Sequence, residues 1–101
     1  MTKGKKNEIY LKLKELRNIL KEKYGIKKFA IFGSIARGDY DNNSDIDIVI
    51  IEADNSLGYL KLLEAKYFLE KELNRKIDIG FYKSMKTFIK NRIKKDLIYV
   101  Y

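Results

Sequence analysis

Between about Asn7 and Tyr24, apolar Ile9, Leu13, Leu16, Ile19 and Leu20 recur at helical spacing. Positions three and four apart share one face of a helix, so the pattern predicts an amphipathic α-helix there. Gly25 is a good stop, because glycine takes the left-handed conformation that ends helices. Residues 1–6 are basic and read as a frayed start. The period then changes. Residues 27–33 read as a buried strand, apolar from Phe29 to Phe32 and halted at Gly33. Ser34 to Arg37 begin a short helix, cut by Gly38, and residues 39–44 are rich in Asp and Asn and read as a turn. Asp45 to Glu52 form a second strand. Asp54, Asn55 and Ser56 offer an N-cap for a long helix to about Leu73, with Leu60, Leu63, Tyr67 and Leu73 among its apolar positions. Asn74 and Arg75 turn the chain. Lys76 to Tyr82 form a third strand, with Ile77, Ile79 and Phe81 on one face and Asp78 on the other. Ser84 caps a last helix through about Lys95, and Leu97 to Tyr101 read as a short strand or a docked tail, with packing of Tyr99, Val100 and Tyr101 on the domain favoured over partner docking.

This order predicts an α/β (α+β) fold, a small mixed β-sheet covered by helices on at least one face. No Pro, no Gly/Ser tract and no internal repeat marks a linker, so residues 1–101 are expected to form one domain. The apolar run Ile48 to Ile51 is far too short to span a bilayer. Lys3, Lys5 and Lys6 lead into an amphipathic pattern rather than the apolar core of a signal peptide. A cytoplasmic location without membrane attachment is therefore expected.

Composition narrows the chemistry. The chain has no Cys, hence no disulfide and no thiol nucleophile, and no His, hence neither the commonest general base nor the commonest zinc ligand. Any catalysis must lean on carboxylates and a hard cation. The net charge of +8 is unevenly spread. Residues 1–28 carry ten basic and three acidic side chains, residues 29–54 one and six, and residues 55–101 eleven and five. An acidic island inside a basic chain suits a cation-loaded site whose surroundings attract polyphosphate, and it equally suits a nucleic-acid surface.

That island holds the candidate chemistry. Asp45 and Asp47 stand at i and i+2 of a strand and project to one side. Two like charges side by side repel unless a cation sits between them, and Mg2+ in phosphate chemistry is held by one or two carboxylates together with substrate phosphates. By itself the pair also describes a solvated strand end. Ser34, after a glycine at a strand terminus, is placed to meet a phosphate through its hydroxyl and backbone N–H. Arg37, the one cation within residues 29–54, can neutralise phosphate charge or pair with Asp39 or Asp41. Asp78 stands alone in the apolar run Ile77 to Phe81; if buried it needs a partner or a cleft, and a surface-facing Asp on an edge strand is the other reading.

Taken together, Gly33-Ser34, ten residues, then Asp45-Ile46-Asp47 resembles the signature of the nucleotidyltransferase superfamily, and the wording Gly33-Ser34-Ile35-Ala36-Arg37-Gly38 with Ser44-Asp45-Ile46-Asp47 resembles its minimal nucleotidyltransferase (MNT) family. The resemblance covers essentially the whole chain. It implies the nucleotidyltransferase fold, catalytic and metal-holding Asp45, Asp47 and Asp78, and a nucleotide site around Gly33, Ser34, Arg37 and Ser44. One or two Mg2+ ions and ATP follow from the same resemblance, as does AMP transfer to a Tyr of a small helical HEPN-type toxin for which the chain is the antitoxin. Ile35 departs from the basic or polar residue that many relatives carry there. Two further readings stand beside this one: a non-catalytic module that binds a partner or RNA by contact alone, and a catalytic subunit modifying a nucleic acid or small molecule. Nucleic acid is possible as a partner but is not the favoured one.

Overall fold

The stripe of Ile9, Leu13, Leu16 and Leu20 becomes the buried face of helix α1 (Thr2–Tyr24) in the computed structural model of the chain, which describes residues 2–100. Ile19 falls off the stripe and stays 43% exposed. The helix already runs from Thr2, so the basic start beyond Met1 is helical rather than frayed. It ends as its sequence predicts: Gly25 adopts φ 74° and donates its N–H to the Lys21 carbonyl at 3.1 Å.

Four strands follow, β1 (Ile26–Phe32), β2 (Ile46–Ala53), β3 (Ile77–Phe81) and β4 (Ile98–Val100), in the sheet order β3-β2-β1-β4. β1 pairs antiparallel with β2 and β4, whereas β2 and β3 run parallel. A parallel neighbour needs a long crossover, and helix α3 (Tyr59–Leu73) supplies it. The sheet is therefore mixed, as expected. Ile46, Ile48 and Ile50 of β2 join Phe29 and Ile31 of β1, the α1 stripe, and Ala65 and Leu69 of α3 in one core. The tail packs: Val100 is buried opposite Phe29, while Tyr99 remains 42% exposed and Tyr101 lies outside the described residues.

Three expected boundaries shift. Residues 54–56 do not cap α3, whose N-cap is Gly58 without a side-chain bond. Asp54 is engaged elsewhere, donating its N–H to the Gly25 carbonyl at 2.8 Å and placing its carboxylate 3.1 Å from Lys27 Nζ. The crossover starts later than expected and turns Ala65 and Leu69 inward, whereas Leu60 and Tyr67 stand 76% and 60% exposed. Finally, the last helix is broken into a 3-10 turn (Tyr82–Ser84), helix α4 (Thr87–Ile93) with Lys86 at its N-cap, and a second 3-10 turn (Lys94–Asp96). Ser84 belongs to the first turn and caps nothing.

Phe29 is 2% exposed at the centre of the sheet, between Ile50 of β2 and Val100 of β4. Phe29→Ala is expected to cost about 3–5 kcal/mol, read as a fall in the urea midpoint at unchanged slope.

Candidate active site

Helix α2 (Gly33–Arg37) starts where β1 stops, and Gly33 is the reason the two elements can join here. Its φ of +77° lies where side chains are strained. A Cβ at this position would also run into the Asp47 carboxylate. Gly33 therefore does two things: it lets the chain turn and it leaves the space that Asp47 occupies. Buried Ile35 and Ala36 anchor α2 to the core. The Lys6 ammonium donates to the Ala36 carbonyl at 2.8 Å, tying the first helix to the same turn. Ile35 is fully enclosed, so its departure from the family wording is a matter of packing rather than of contact with a ligand.

The sheet register assembles the carboxylates. Asp47 of β2 lies opposite Phe32 of β1 on one side and Asp78 of β3 on the other. Ile46 and Ile48 face the helices, so by strand alternation Asp47 faces the opposite side of the sheet, as does its register partner Asp78. Asp45 immediately precedes β2 on the side of Asp47. Asp47 is half-buried, whereas Asp45 and Asp78 are exposed. Burial is the largest influence on the Asp47 carboxyl and pushes its pKa above the ordinary 3.8, with the charges of Asp78 and then Asp45 adding to the rise and Arg37 opposing it. All three acids thus act on one point.

Among the described residues no three such side chains close into a ready-made metal cage. The donor set still fits Mg2+, which takes hard oxygens, needs only one or two carboxylates, and completes its shell with phosphates and water. The crowding of negative charge on Asp47 favours a cation.

The remaining residues divide. Ser34 is half-buried, its carbonyl accepting the Gly38 N–H at 2.9 Å, and its hydroxyl is committed to no other described residue. Arg37 pairs with Asp39, Nε to Oδ2 at 3.1 Å, and approaches Asp96 at 3.8 Å; Asp41 is not among its partners. Ser44 closes the turn before β2: its Oγ accepts the Asp41 N–H at 3.0 Å and lies 3.3 Å from Asp41 Oδ1. Arg75, which the sequence reading treated only as a turn residue, proves to be the brace of this region. Its Nη1 donates to the carbonyls of Ser44 at 2.7 Å and Asp41 at 3.2 Å, and its guanidinium lies over the Tyr40 ring. One side chain at the entry to β3 therefore holds the turn that delivers Asp45. A cation two residues before the apolar run of Asp78 is the only signal that pointed to it.

Two outcomes follow. Folded Asp47 holds its proton more tightly than in the unfolded chain, so this group favours folding below 3.8 and the advantage is lost as pH rises through its folded value. Asp47→Asn is expected to raise the melting temperature of the metal-free protein at pH 7, with the difference shrinking towards pH 3; thermal unfolding across that range checks it. Arg75→Ala is expected to lower stability by about 1.5–3 kcal/mol, the range for hydrogen bonds from a charged donor, and to speed amide exchange across residues 41–46.

Comparison with known proteins agrees with the fold. The family model described as a nucleotidyltransferase domain matches residues 13–100. A Methanocaldococcus jannaschii protein named as a candidate protein adenylyltransferase is 41% identical over 96 residues, covering 93% of this chain and 96% of that one. The protein adenylyltransferase MntA of Thermococcus cleftensis is 29% identical over 97 residues, covering 89% and 97%. Among solved structures, a toxin–antitoxin with AMP-PNP is similar in fold, with a TM-score of 0.72 at 22% identity over 89% of this chain and 72% of that one. A candidate minimal nucleotidyltransferase has a TM-score of 0.68 at 23% identity, covering 85% and 87%. The Gly-Ser turn, Asp45, Asp47 and Asp78 all lie within the matched span, and the chain belongs to the nucleotidyltransferase-domain family.

Proposed function

We propose that the chain transfers AMP from ATP to a protein hydroxyl, a Tyr of a small helical HEPN-type toxin, and that it acts as the antitoxin of that partner. The observation that carries this reading is the Asp47 carboxylate set against Gly33, with Asp78 its register partner on β3 and Asp45 two residues before it, in a chain with neither His nor Cys. The relatives named protein adenylyltransferase support the reaction type, and the similar fold of a toxin–antitoxin with AMP-PNP supports the nucleotide and the kind of partner.

In this reading the acceptor oxygen forms a bond to the α-phosphorus of ATP. The bond from that phosphorus to the oxygen bridging to the β-phosphate breaks, and pyrophosphate leaves. One or two Mg2+ ions, held by Asp45, Asp47 and Asp78, would neutralise the triphosphate as that charge develops. Asp78, exposed on the edge strand, is open to take the acceptor proton. Gly33 gives the Asp47 carboxylate room beside the turn, and the uncommitted Ser34 hydroxyl binds a phosphate there. Arg37 offers its guanidinium to phosphate by exchanging Asp39 for the ligand. Ser44 borders the nucleotide through the turn it closes. Among the described residues no helix is long and apolar enough to cross a membrane, and none is needed for this role.

The test is the intact mass of a small helical HEPN-type protein, taken from the gene neighbouring this one where it encodes such a protein, incubated with the chain, ATP and Mg2+. A gain of one or more AMP units is expected, slowed at least about a hundredfold by Asp47→Asn, because electrostatic and metal terms carry most of such a displacement. No gain with any of the four nucleotides, despite a stable complex, would overturn transfer and leave binding alone as the antitoxin mechanism.

A further inference from the structure

Between Asp78 and Asp96 the chain carries Lys83, Lys86, Lys90, Arg92, Lys94 and Lys95 and no acidic residue. Elsewhere its cations are often matched: Lys12 with Glu15 and Glu72, Lys27 with Asp54, Lys28 with Glu52, Arg37 with Asp39 and Asp96. Among the described residues none of the six is in an ion pair; Lys90 instead lies 5.2 Å above the Tyr82 ring. Five of them are exposed and Lys90 is half-buried. Ile93 is the inward side of α4, which turns Phe88 out at 62% exposure among these charges. Six unneutralised cations within thirteen residues repel one another, and a large exposed aromatic costs free energy in water; a ligand that is both anionic and planar relieves both.

We propose that the surface of residues 83–95 binds a single-stranded nucleic acid, its phosphates tracking the lysines and a base stacking on Phe88. Five of the six cations are Lys. Lys is depleted at protein–protein interfaces, while phosphate backbones are bound through such point charges, and exposed aromatics among them are how unstacked bases are held. The position adds to the case. The turn Lys94–Asp96 packs against α2, and Asp96 reaches Arg37, so the strand would lie beside the Gly-Ser turn of the nucleotide site. This inference does not rest on adenylyl transfer, and binding is measured without ATP or a protein partner.

The experiment is fluorescence anisotropy of a labelled twelve-nucleotide single-stranded RNA of mixed sequence, titrated from 50 to 200 mM salt. Each phosphate neutralised contributes about −0.7 to the slope of log K against log salt. A slope of about −2 to −4 is expected. The triple variant K86A/K90A/K94A should weaken binding at least tenfold and flatten the slope by about 2, because three contacts are lost. Phe88→Ala should weaken binding about fivefold or more at unchanged slope. The variant K14A/K21A/K23A, which removes equal charge from α1, should change affinity less than twofold. No binding at 50 mM salt, or equal loss in the two triple variants, would overturn the proposal. Polyglutamate of matched charge competing as well as the RNA would also overturn it and assign the surface to an acidic protein.

Discussion

The site depends on one close contact, the Asp47 carboxylate against the backbone of Gly33. β1 must be followed by a residue without a side chain, because the Asp47 carboxylate of β2 takes up that volume. Everything else in the site is referred to this contact. The antiparallel pairing of β1 with β2 sets which residue of β2 arrives there, and the parallel pairing of β2 with β3 places Asp78 beside it. A one-residue slip of either pairing would turn every side chain of a strand to the other face and take Asp47 or Asp78 into the core. The isoleucines between the carboxylates prevent that slip: Ile46, Ile48 and Ile77 are buried on the helix side and lock the register that aims the acids outward.

This arrangement works against itself electrostatically. Burial and two neighbouring charges resist ionisation of Asp47, and a single half-exposed Arg37 offsets only part of that. A fold whose hydrophobic register enforces such crowding holds a site complementary to a cation rather than to itself. The strain is tolerable because the core beneath it is continuous across all four strands and both long helices.

Much of this was legible in the chain. Period-two alternation around Asp47 and Asp78 located the strands, and the ten residues between Ser34 and Asp45 match the length of a short helix plus a polar turn. The long first helix was readable because its apolar stripe is unbroken. The start of α3 was not, since residues 54–56 are good caps locally and only the bond from Asp54 to Gly25, closed by tertiary structure, diverts them. The outward placement of Leu60 and Tyr67 was equally hidden, because the geometry of a parallel crossover decides which face turns in. Arg75 escaped for a related reason: its carbonyl partners are distant in sequence and carry no side-chain signature.

The fold raises the Asp47 pKa above its ordinary value, and a bound cation opposes that rise. Carbon-13 NMR titration of the assigned Asp carboxyls, without and with Mg2+, reads this directly. An Asp47 midpoint above 3.8 is expected in the metal-free protein, falling when Mg2+ is present. A midpoint at or below 3.8 without metal, or one that Mg2+ leaves in place, would contradict it.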